Sequence, residues 1–123
     1  MKAYELHAKE GFESLQAVER PAPRELGPHD VRVRMRAVSL NYRDLLVARG
    51  SMSRAKPLVP LSDGAGEVAA VGGKVTRFKA GDSVAAAFFP TWHKGGLLEE
   101  HHQNALGGSL DGVFAEEVVL PET

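Results

Sequence analysis

The feature that most constrains this sequence is a run in which apolar and charged residues alternate. Over residues 31–40, three arginines are interleaved with the apolar residues Val31, Val33, Met35 and Ala37. A period of two places the apolar set on one face of a β-strand and the guanidinium groups on the other. Because a register slip of one residue would bury three charges, the run predicts a strand whose register is well fixed.

Glycine and proline divide the remaining sequence into short segments. Two weakly alternating runs around Gly11 predict a hairpin, and the proline-rich residues 21–30 predict an extended crossing segment that ends in a turn. Further strands are predicted at residues 68–71, 83–89 and 113–120. Many short strands with frequent turns favour a sandwich or barrel, so the predicted fold class is mainly β with short helices.

The period changes to that of a helix at residues 41–50. We expect a helix of about two turns, with Asn41 at the N-cap, Asp44 in the first turn and Gly50 at the C′ position. Residues 91–112 have little periodicity, and an irregular loop of this length is often functional.

Composition excludes several classes of function. The chain has 123 residues, a formal net charge of -1 and no cysteine. Disulfides, thiolate metal sites and cysteine nucleophiles are therefore excluded. The charges nearly cancel, so the chain lacks the excess of positive charge that is typical of a nucleic-acid binder. The N-terminus has no signal-peptide h-region, and no apolar run is long enough to span a bilayer. We expect a cytoplasmic protein with no nucleic-acid or membrane partner.

Residues 64–69 match the relaxed dinucleotide-binding pattern G-x-G-x-x-A, but their surroundings do not suit it. The pattern works when a strand precedes it and a helix follows, so that the helix N-terminus faces a pyrophosphate. Here Pro57 and Pro60 lie just upstream, and Gly72 and Gly73 would end a helix early. The glycines instead favour close backbone approach and tight bends in a small barrel.

Five segments follow one another in an order typical of a known superfamily. They are residues 1–3, 21–31, 39–46, 60–68 and 71–84. The fourth is similar to the P-G-H-E-G-A-G-x-V segment of zinc enzymes, and the fifth to the pattern V-G-x-x-V-x-x-F-x-x-G-D-x-V. Together they resemble the start of the medium-chain dehydrogenases/reductases, which include zinc alcohol dehydrogenases and quinone oxidoreductases.

The departures from the zinc enzymes are as informative as the matches. Those enzymes have a cysteine where this chain has Asn41 and a histidine where it has Ser62, and Asp63 occupies the place of their glutamate. An amide and a hydroxyl are poor replacements for thiolate and imidazole as zinc ligands. The loop that holds a structural zinc in many relatives corresponds to residues 91–112, which contain no cysteine. The resemblance, including the amino-acid sequence of residues 41–44, therefore implies the zinc-free branch, with no metal site.

The resemblance also implies a domain organisation and a reaction. Residues 1–123 would form one domain, a GroES-like, partly opened β-barrel on the substrate side of an oxidoreductase. In this family a Rossmann domain follows and binds NAD(P)H, and a small-molecule substrate lies between the two domains. We expect zinc-independent hydride transfer to or from a carbonyl, an enone or a quinone. The cofactor would bind mainly outside this chain, the chain alone would be inactive, and the full-length protein would be a homo-oligomer.

Three residues of the helix segment are candidates for catalysis. Without zinc, polarisation must come from hydrogen-bond donors placed where negative charge develops. Tyr42 could donate to a developing enolate or contact the nicotinamide, or its ring could pack against the barrel with the hydroxyl in water. Asn41 could cap the helix, orient a substrate carbonyl, or do both. Asp44 would hold the segment through local hydrogen bonds.

Three further residues are candidates for the substrate pocket. Ser62 and Asp63 would line the place where the relatives hold zinc, since a pocket needs few polar groups. Trp92 could close over the cleft as a lid or simply anchor its loop.

The histidines of residues 91–112 do not predict a metal site. His101 and His102 are adjacent, so their side chains point in different directions. His93, Glu99 and Glu100 add no recognised ligand spacing. A solvated loop is the better interpretation of this segment.

Two other functions stay open at this point. A stand-alone GroES-like binding or assembly module without enzymatic activity would need a ring-closing surface, and the resemblance is to reductases rather than to co-chaperonins. A non-catalytic paralogue would keep the fold and lose hydride transfer, and the missing zinc ligands do not separate it from the zinc-free enzymes.

Overall fold

The computed structural model of the protein describes residues 1–7, 11–50 and 57–123. Over these residues the chain is mainly β, with short helices, as predicted. The strands are β1 (Lys2–Leu6), β2 (Leu15–Glu19), β3 (Asp30–Ser39), β4 (Asp63–Val71), β5 (Ser83–Ala85) and β6 (Glu117–Pro121). The helices are α1 (Tyr42–Ala48) and α2 (Glu99–His102), with a 3₁₀ turn at Phe12–Ser14. No helix in the described ranges is long and apolar enough to cross a membrane.

The strands form two open antiparallel sheets. One is the predicted hairpin of β1 and β2, and the other has the strand order β5-β4-β3-β6. Single contacts join the hairpin to the residues that precede β6, including a bridge between Ala3 and Ala115 and a hydrogen bond from the Tyr4 N–H to the Phe114 carbonyl at 3.0 Å. The predicted crossing segment, residues 21–30, is irregular over residues 21–27 and turns at residues 28–29 before β3.

Strand β3 begins with the predicted alternation and then departs from it. Val31 and Val33 are buried, but the pairing with β4 contains a bulge in which Arg36 is the extra residue of β3. Beyond this bulge Ala37 is exposed, whereas Val38 is partly buried and packs inward. The prediction that Ala37 shares the buried face is therefore wrong, because a bulge adds one residue and reverses the facing of those that follow.

Strand β4 is longer than predicted, since it begins at Asp63 rather than at residue 68. Its glycines allow this extension, because a methyl group at Gly66 would overlap the backbone oxygen of Arg34 on the neighbouring strand. The G-x-G-x-x-A pattern therefore lies inside a continuous strand, with no helix after it. This agrees with the prediction that the pattern is not a phosphate loop.

The predicted strands at residues 83–89 and 113–120 are both shorter in the structure. β5 pairs with β4 only over Ser83–Ala85, and one further hydrogen bond, from the Ala86 N–H to the Gly64 carbonyl at 2.9 Å, follows before the pairing ends. β6 begins late because the chain before it bonds to the hairpin, where the Glu116 N–H donates to the Lys2 carbonyl at 3.0 Å. In both cases the partner strand sets the length of the element.

The apolar core consists of three clusters of buried residues. The helix cluster joins β1 to α1, the sheet cluster lies on the four-stranded sheet, and the loop cluster lies beneath the segment that precedes β4. Their members are, respectively, Leu6, Val47, Ala48 and Leu58; Val31, Val33, Val68 and Val118; and Leu61, Leu106 and Val113. The helix cluster fixes the second turn of α1, and the loop cluster supports the residues that enter β4.

Candidate functional site

Helix α1 starts and ends with the residues that the sequence predicts. Asn41 is the N-cap residue, and its N–H donates to the Asp44 carboxylate at 2.9 Å. The Asp44 N–H donates back to the Asn41 carbonyl at 3.0 Å, and the Asp44 side chain is only 5% exposed. At the other end Gly50 has a φ of 80°, and its N–H donates to the Val47 carbonyl at 3.1 Å. Asparagine at the N-cap and glycine at the C′ position are both residues that helix ends favour.

The structure brings together two of the three residues that stand where the resembling zinc enzymes have cysteine, histidine and glutamate. The side-chain nitrogen of Asn41 donates to the Asp63 carboxylate at 3.2 Å, although the two residues are 22 positions apart. The amide oxygen of Asn41 accepts a longer hydrogen bond of 3.4 Å from the Ser39 hydroxyl. Because a carboxylate only accepts hydrogen bonds, the contact orients the amide nitrogen towards Asp63. Ser62, next to this pair, is only 4% exposed.

These donors do not fit a zinc site of the kind that the resembling enzymes have. The amide nitrogen of Asn41 faces the carboxylate of Asp63, and a single carboxylate with a hydroxyl does not provide the nitrogen and sulfur ligands that zinc prefers. Over the ranges that the structure describes, no three histidine, aspartate or glutamate side chains lie close enough to hold a metal ion.

Tyr42 projects away from the body of the domain. It is 71% exposed, and the neighbouring side chains Leu40 and Leu45 are exposed as well. The alternative in which the ring of Tyr42 packs against the barrel is therefore wrong. An exposed phenol flanked by apolar side chains suits a surface that meets a ligand or another domain.

The backbone is strained at the residue that precedes Ser62. Leu61 has a φ of 73°, the left-handed region, and its side chain is only 2% exposed. Among residues other than glycine this conformation costs about 1–3 kcal/mol and persists only where the surroundings enforce it. Here the Leu61 carbonyl accepts the Val113 N–H at 2.9 Å, and Gly112 packs so closely that a methyl group there would overlap the Leu61 oxygen.

Sequence reasoning missed Leu61, although the sequence contains a signal for it. Leu61 stands where the resembling P-G-H-E-G-A-G segment has glycine, and glycine adopts positive φ without a steric penalty. The strain lies directly before Ser62 and Asp63, so the conformation of Leu61 sets the direction in which these two residues enter β4.

Arg43 is a second residue that sequence reasoning missed. Its Nη1 donates to the Leu106 carbonyl at 3.1 Å, and its guanidinium carbon lies 4.5 Å from the centroid of the Phe88 ring. Burial lowers the pKa of Arg43, and the neighbouring Asp44 carboxylate opposes this shift. The partner Leu106 is 63 residues away, so no local pattern identifies the contact.

Part of residues 91–112 is not solvated, in contrast to the prediction. His101 is only 7% exposed, and its Nδ1 accepts the Leu98 N–H at 2.9 Å, because the short helix α2 turns the ring inward. The adjacent His102 is exposed, as expected for neighbours that point in different directions. The Trp92 ring stacks on His101 at 6.0 Å, and its Nε1 donates to the Gly95 carbonyl at 3.1 Å. These contacts anchor the loop.

No hydrogen bond, ion pair or ring contact in the described part of the chain joins Trp92 to the Asn41–Asp63 pair. It lines a shallow hollow with Arg77, His93 and Thr123. The structure thus divides the predicted substrate-pocket residues between two places, and a role for Trp92 towards substrate stays a prediction.

Comparison with known proteins agrees with this architecture. Residues 27–123 match the family model of the alcohol dehydrogenase GroES-like domain. A zinc-type alcohol dehydrogenase-like protein from Schizosaccharomyces pombe is 42% identical over 113 residues, which cover 90% of this chain and 33% of the relative. A quinone oxidoreductase from Pseudomonas aeruginosa is 51% identical over 71 residues, which cover 55% of this chain and 21% of the relative.

The fold is also similar to a solved structure, that of a candidate alcohol dehydrogenase from Sinorhizobium meliloti 1021. The TM-score is 0.86 at 43% identity, over 98% of this chain and 36% of the solved chain. The chain therefore spans about a third of the length of that structure and of the first relative, which is 33% covered. The predicted GroES-like fold class is confirmed. Through its alcohol dehydrogenase GroES-like domain, the chain belongs to the medium-chain dehydrogenase/reductase superfamily of oxidoreductases.

Proposed function

We propose that this chain, over residues 1–123, is the substrate-side domain of a zinc-independent oxidoreductase. The enzyme would transfer a hydride between NAD(P)H and a carbonyl, an enone or a quinone. The observation that carries the proposal is the hydrogen bond between Asn41 and Asp63, 3.2 Å long, at the positions where the resembling zinc enzymes have a cysteine and a glutamate. A cytoplasmic location and a homo-oligomeric full-length protein belong to the same proposal.

Asn41 can take the place of the metal as the group that polarises a substrate oxygen. Its amide nitrogen has two hydrogens, and one of them points to the Asp63 carboxylate. The second N–H is then left to donate to a carbonyl or quinone oxygen. A donor held in this way stabilises the negative charge that develops on that oxygen when hydride is added.

Tyr42 is the second donor of the site. Its exposure leaves the phenol available to a substrate oxygen or to the nicotinamide end of a bound cofactor. Asp44 contributes indirectly, because its carboxylate accepts the Asn41 N–H at 2.9 Å and so fixes the start of the helix that carries both donors.

NAD(P)H, when bound, supplies the hydride, but the dinucleotide-like pattern of residues 64–69 does not fit its phosphates. Residues 64–69 belong to strand β4, so their glycines do not present a loop and a helix N-terminus to a pyrophosphate. We therefore place the nucleotide site in a Rossmann domain outside these 123 residues.

The proposal is tested with the native protein that contains this chain. Oxidation of NADH and NADPH is measured against quinones, enones and aldehydes, with and without a zinc chelator. We expect turnover that the chelator does not change, and a loss of about 10²-fold in kcat for Asn41→Ala, as for other single oxyanion donors. Gln16→Ala is the matched control, since it also removes an exposed side-chain amide, in this case from β2, outside the site.

Loss of activity on chelation, with recovery on addition of zinc, would show that zinc independence is wrong. Absence of turnover with every substrate class would favour the stand-alone binding module. The 123-residue chain alone is expected to show no turnover, and micromolar NAD(P)H binding by it would contradict the placement of the nucleotide site.

A further inference from the structure

We propose that Arg43 is a positioning residue of this site: its guanidinium group fixes the first turn of α1 against the segment of residues 88–106, and thereby sets the places of Asn41 and Tyr42. This inference rests on the proposed function for its catalytic consequence. Its structural part, the attachment of the loop to the helix, is tested separately below.

The first turn of α1 needs an external attachment. The helix has only seven residues, and a helix of two turns is not stable by itself in water. Val47 and Ala48 bury its second turn in the helix cluster. In the first turn Tyr42 is exposed, and the buried Asp44 bonds to the Asn41 N–H, within the start of the helix itself.

Arg43 provides the attachment by contacting two residues that are themselves bonded to each other. The Leu106 N–H donates to the Phe88 carbonyl at 3.1 Å. Arg43 donates to the Leu106 carbonyl at 3.1 Å, and its guanidinium group lies over the Phe88 ring at 4.5 Å. One side chain thus connects the helix to both ends of the segment, and Gly108 lies close to the same guanidinium group.

The contacts require the planar, delocalised group of arginine. A guanidinium group can stack on an aromatic face and donate in its own plane at the same time, whereas the compact ammonium of lysine cannot do both. The side chain is also partly buried, so it is held rather than free to move in solvent. Lysine at this position would keep the positive charge but could not stack on the ring and donate the hydrogen bond at the same time.

Asn41 is the residue through which this attachment reaches the reaction. Asn41 precedes the first turn and bonds to Asp63 by a single 3.2 Å hydrogen bond. If the first turn rotates, the amide and the neighbouring phenol move together. A displacement of about 1 Å in a positioned donor can lower the rate about 10²-fold.

The experiment compares Arg43→Ala and Arg43→Lys in the native protein, with Arg34→Ala as the matched control. Arg34 lies on β3, is exposed, and faces Glu117 at 3.9 Å, away from the helix. We measure kcat and KM separately, rescue of Arg43→Ala by added guanidinium ion, and hydrogen exchange of the peptides that cover α1 and residues 88–112.

For both Arg43 variants we expect kcat to fall by about 10-fold to 100-fold with little change in KM, since an interaction that positions the reacting groups is removed. Guanidinium ion is expected to restore part of the rate of Arg43→Ala. Exchange is expected to increase in α1 and residues 88–112 and to stay unchanged in β3 and β4.

Faster exchange in every strand would overturn the proposal, because it would show a loss of global stability rather than of position. A fully active Arg43→Lys variant would overturn it as well. If the wild-type protein shows no hydride transfer, the proposed function fails, and the exchange experiment still decides whether Arg43 attaches the loop to the helix.

Discussion

The four-stranded sheet and the wall of the site are built in different ways. The wall consists of three segments, residues 41–44, 61–63 and 88–112. In the sheet, β3 pairs with two neighbouring strands along its length, and four buried valines from these three strands pack together. In the wall, segments distant in sequence meet through single hydrogen bonds and through glycines in close contact with backbone.

Contacts in the sheet therefore determine mainly the stability of the fold, whereas contacts in the wall determine mainly where the functional groups lie. Each contact of the sheet is one of many, so its loss lowers the free energy of unfolding and leaves the other strands in register. A single hydrogen bond of the wall is worth only about 1 kcal/mol, yet it determines where a functional group lies. A substitution in the wall can therefore change the site more than it changes the stability.

The largest expected effects come from adding a methyl group where backbone already fills the space. Gly66→Ala would overlap the Arg34 oxygen in the sheet, and Gly112→Ala would overlap the Leu61 oxygen in the wall. We expect each to lower the free energy of unfolding by on the order of 3 kcal/mol, measured by urea denaturation. Only Gly112→Ala should also lower kcat of the remaining folded protein, because it displaces the residue before Ser62.

Gly73→Ala is the control for both substitutions. Nothing lies within 4 Å of a methyl group there, so its effect should stay within about 0.5 kcal/mol. Equal unfolding midpoints for Gly112→Ala and Gly73→Ala would contradict the close contact in the wall.

An intermediate effect is expected from the strain at Leu61. Both Leu61→Ala and Leu61→Gly remove a buried side chain, but only glycine relieves the positive φ of 73°. We expect Leu61→Gly to be more stable than Leu61→Ala by about 1 kcal/mol in thermal unfolding. At Leu45, which lies within α1, the order should reverse, with alanine better than glycine by about 1 kcal/mol. The same order at both positions would show that Leu61 is not strained.

The smallest expected effect is a loss of stability at acidic pH, caused by Glu122 at the end of the four-stranded sheet. Hydrogen bonds from His29 and from the Arg77 and Thr76 N–H groups lower the pKa of Glu122. Its carboxylate therefore stabilises the fold above the ordinary glutamate pKa of about 4.3, and this contribution is lost as the pH falls through the lowered value. The Arg77 guanidinium group bonds to the backbone carbonyl of Glu122 instead, at 2.9 Å.

Thermal unfolding of Glu122→Gln at a series of pH values checks this expectation. The variant should melt a few degrees lower at neutral pH, and the gap should close in acid. Glu25→Gln, at an exposed position of the crossing segment, should show no such gap. A gap that persists below the folded pKa would mean that the charge of Glu122 is not its source.

Much of the fold could be predicted from the sequence because its signals are local. The alternation at the start of β3 and the capping residues of α1 depend on neighbours a few positions away. The bulge at Arg36, the extension of β4 and the short β5 could not be predicted, because each depends on how the partner strand pairs. Likewise, His101 is buried only because α2 turns it inward.

The candidate site divides in the same way. The sequence by itself determined the identity of Asn41, Tyr42 and Asp63 as candidates, the mainly β class of the fold, and the chemical mismatch with zinc ligands. Only the tertiary structure decided that Asn41 bonds to Asp63, that Leu61 is held in a strained conformation and that Arg43 attaches the loop to the helix. The physical reason is that these contacts join segments 22 to 63 residues apart, where periodicity and local propensity carry no information.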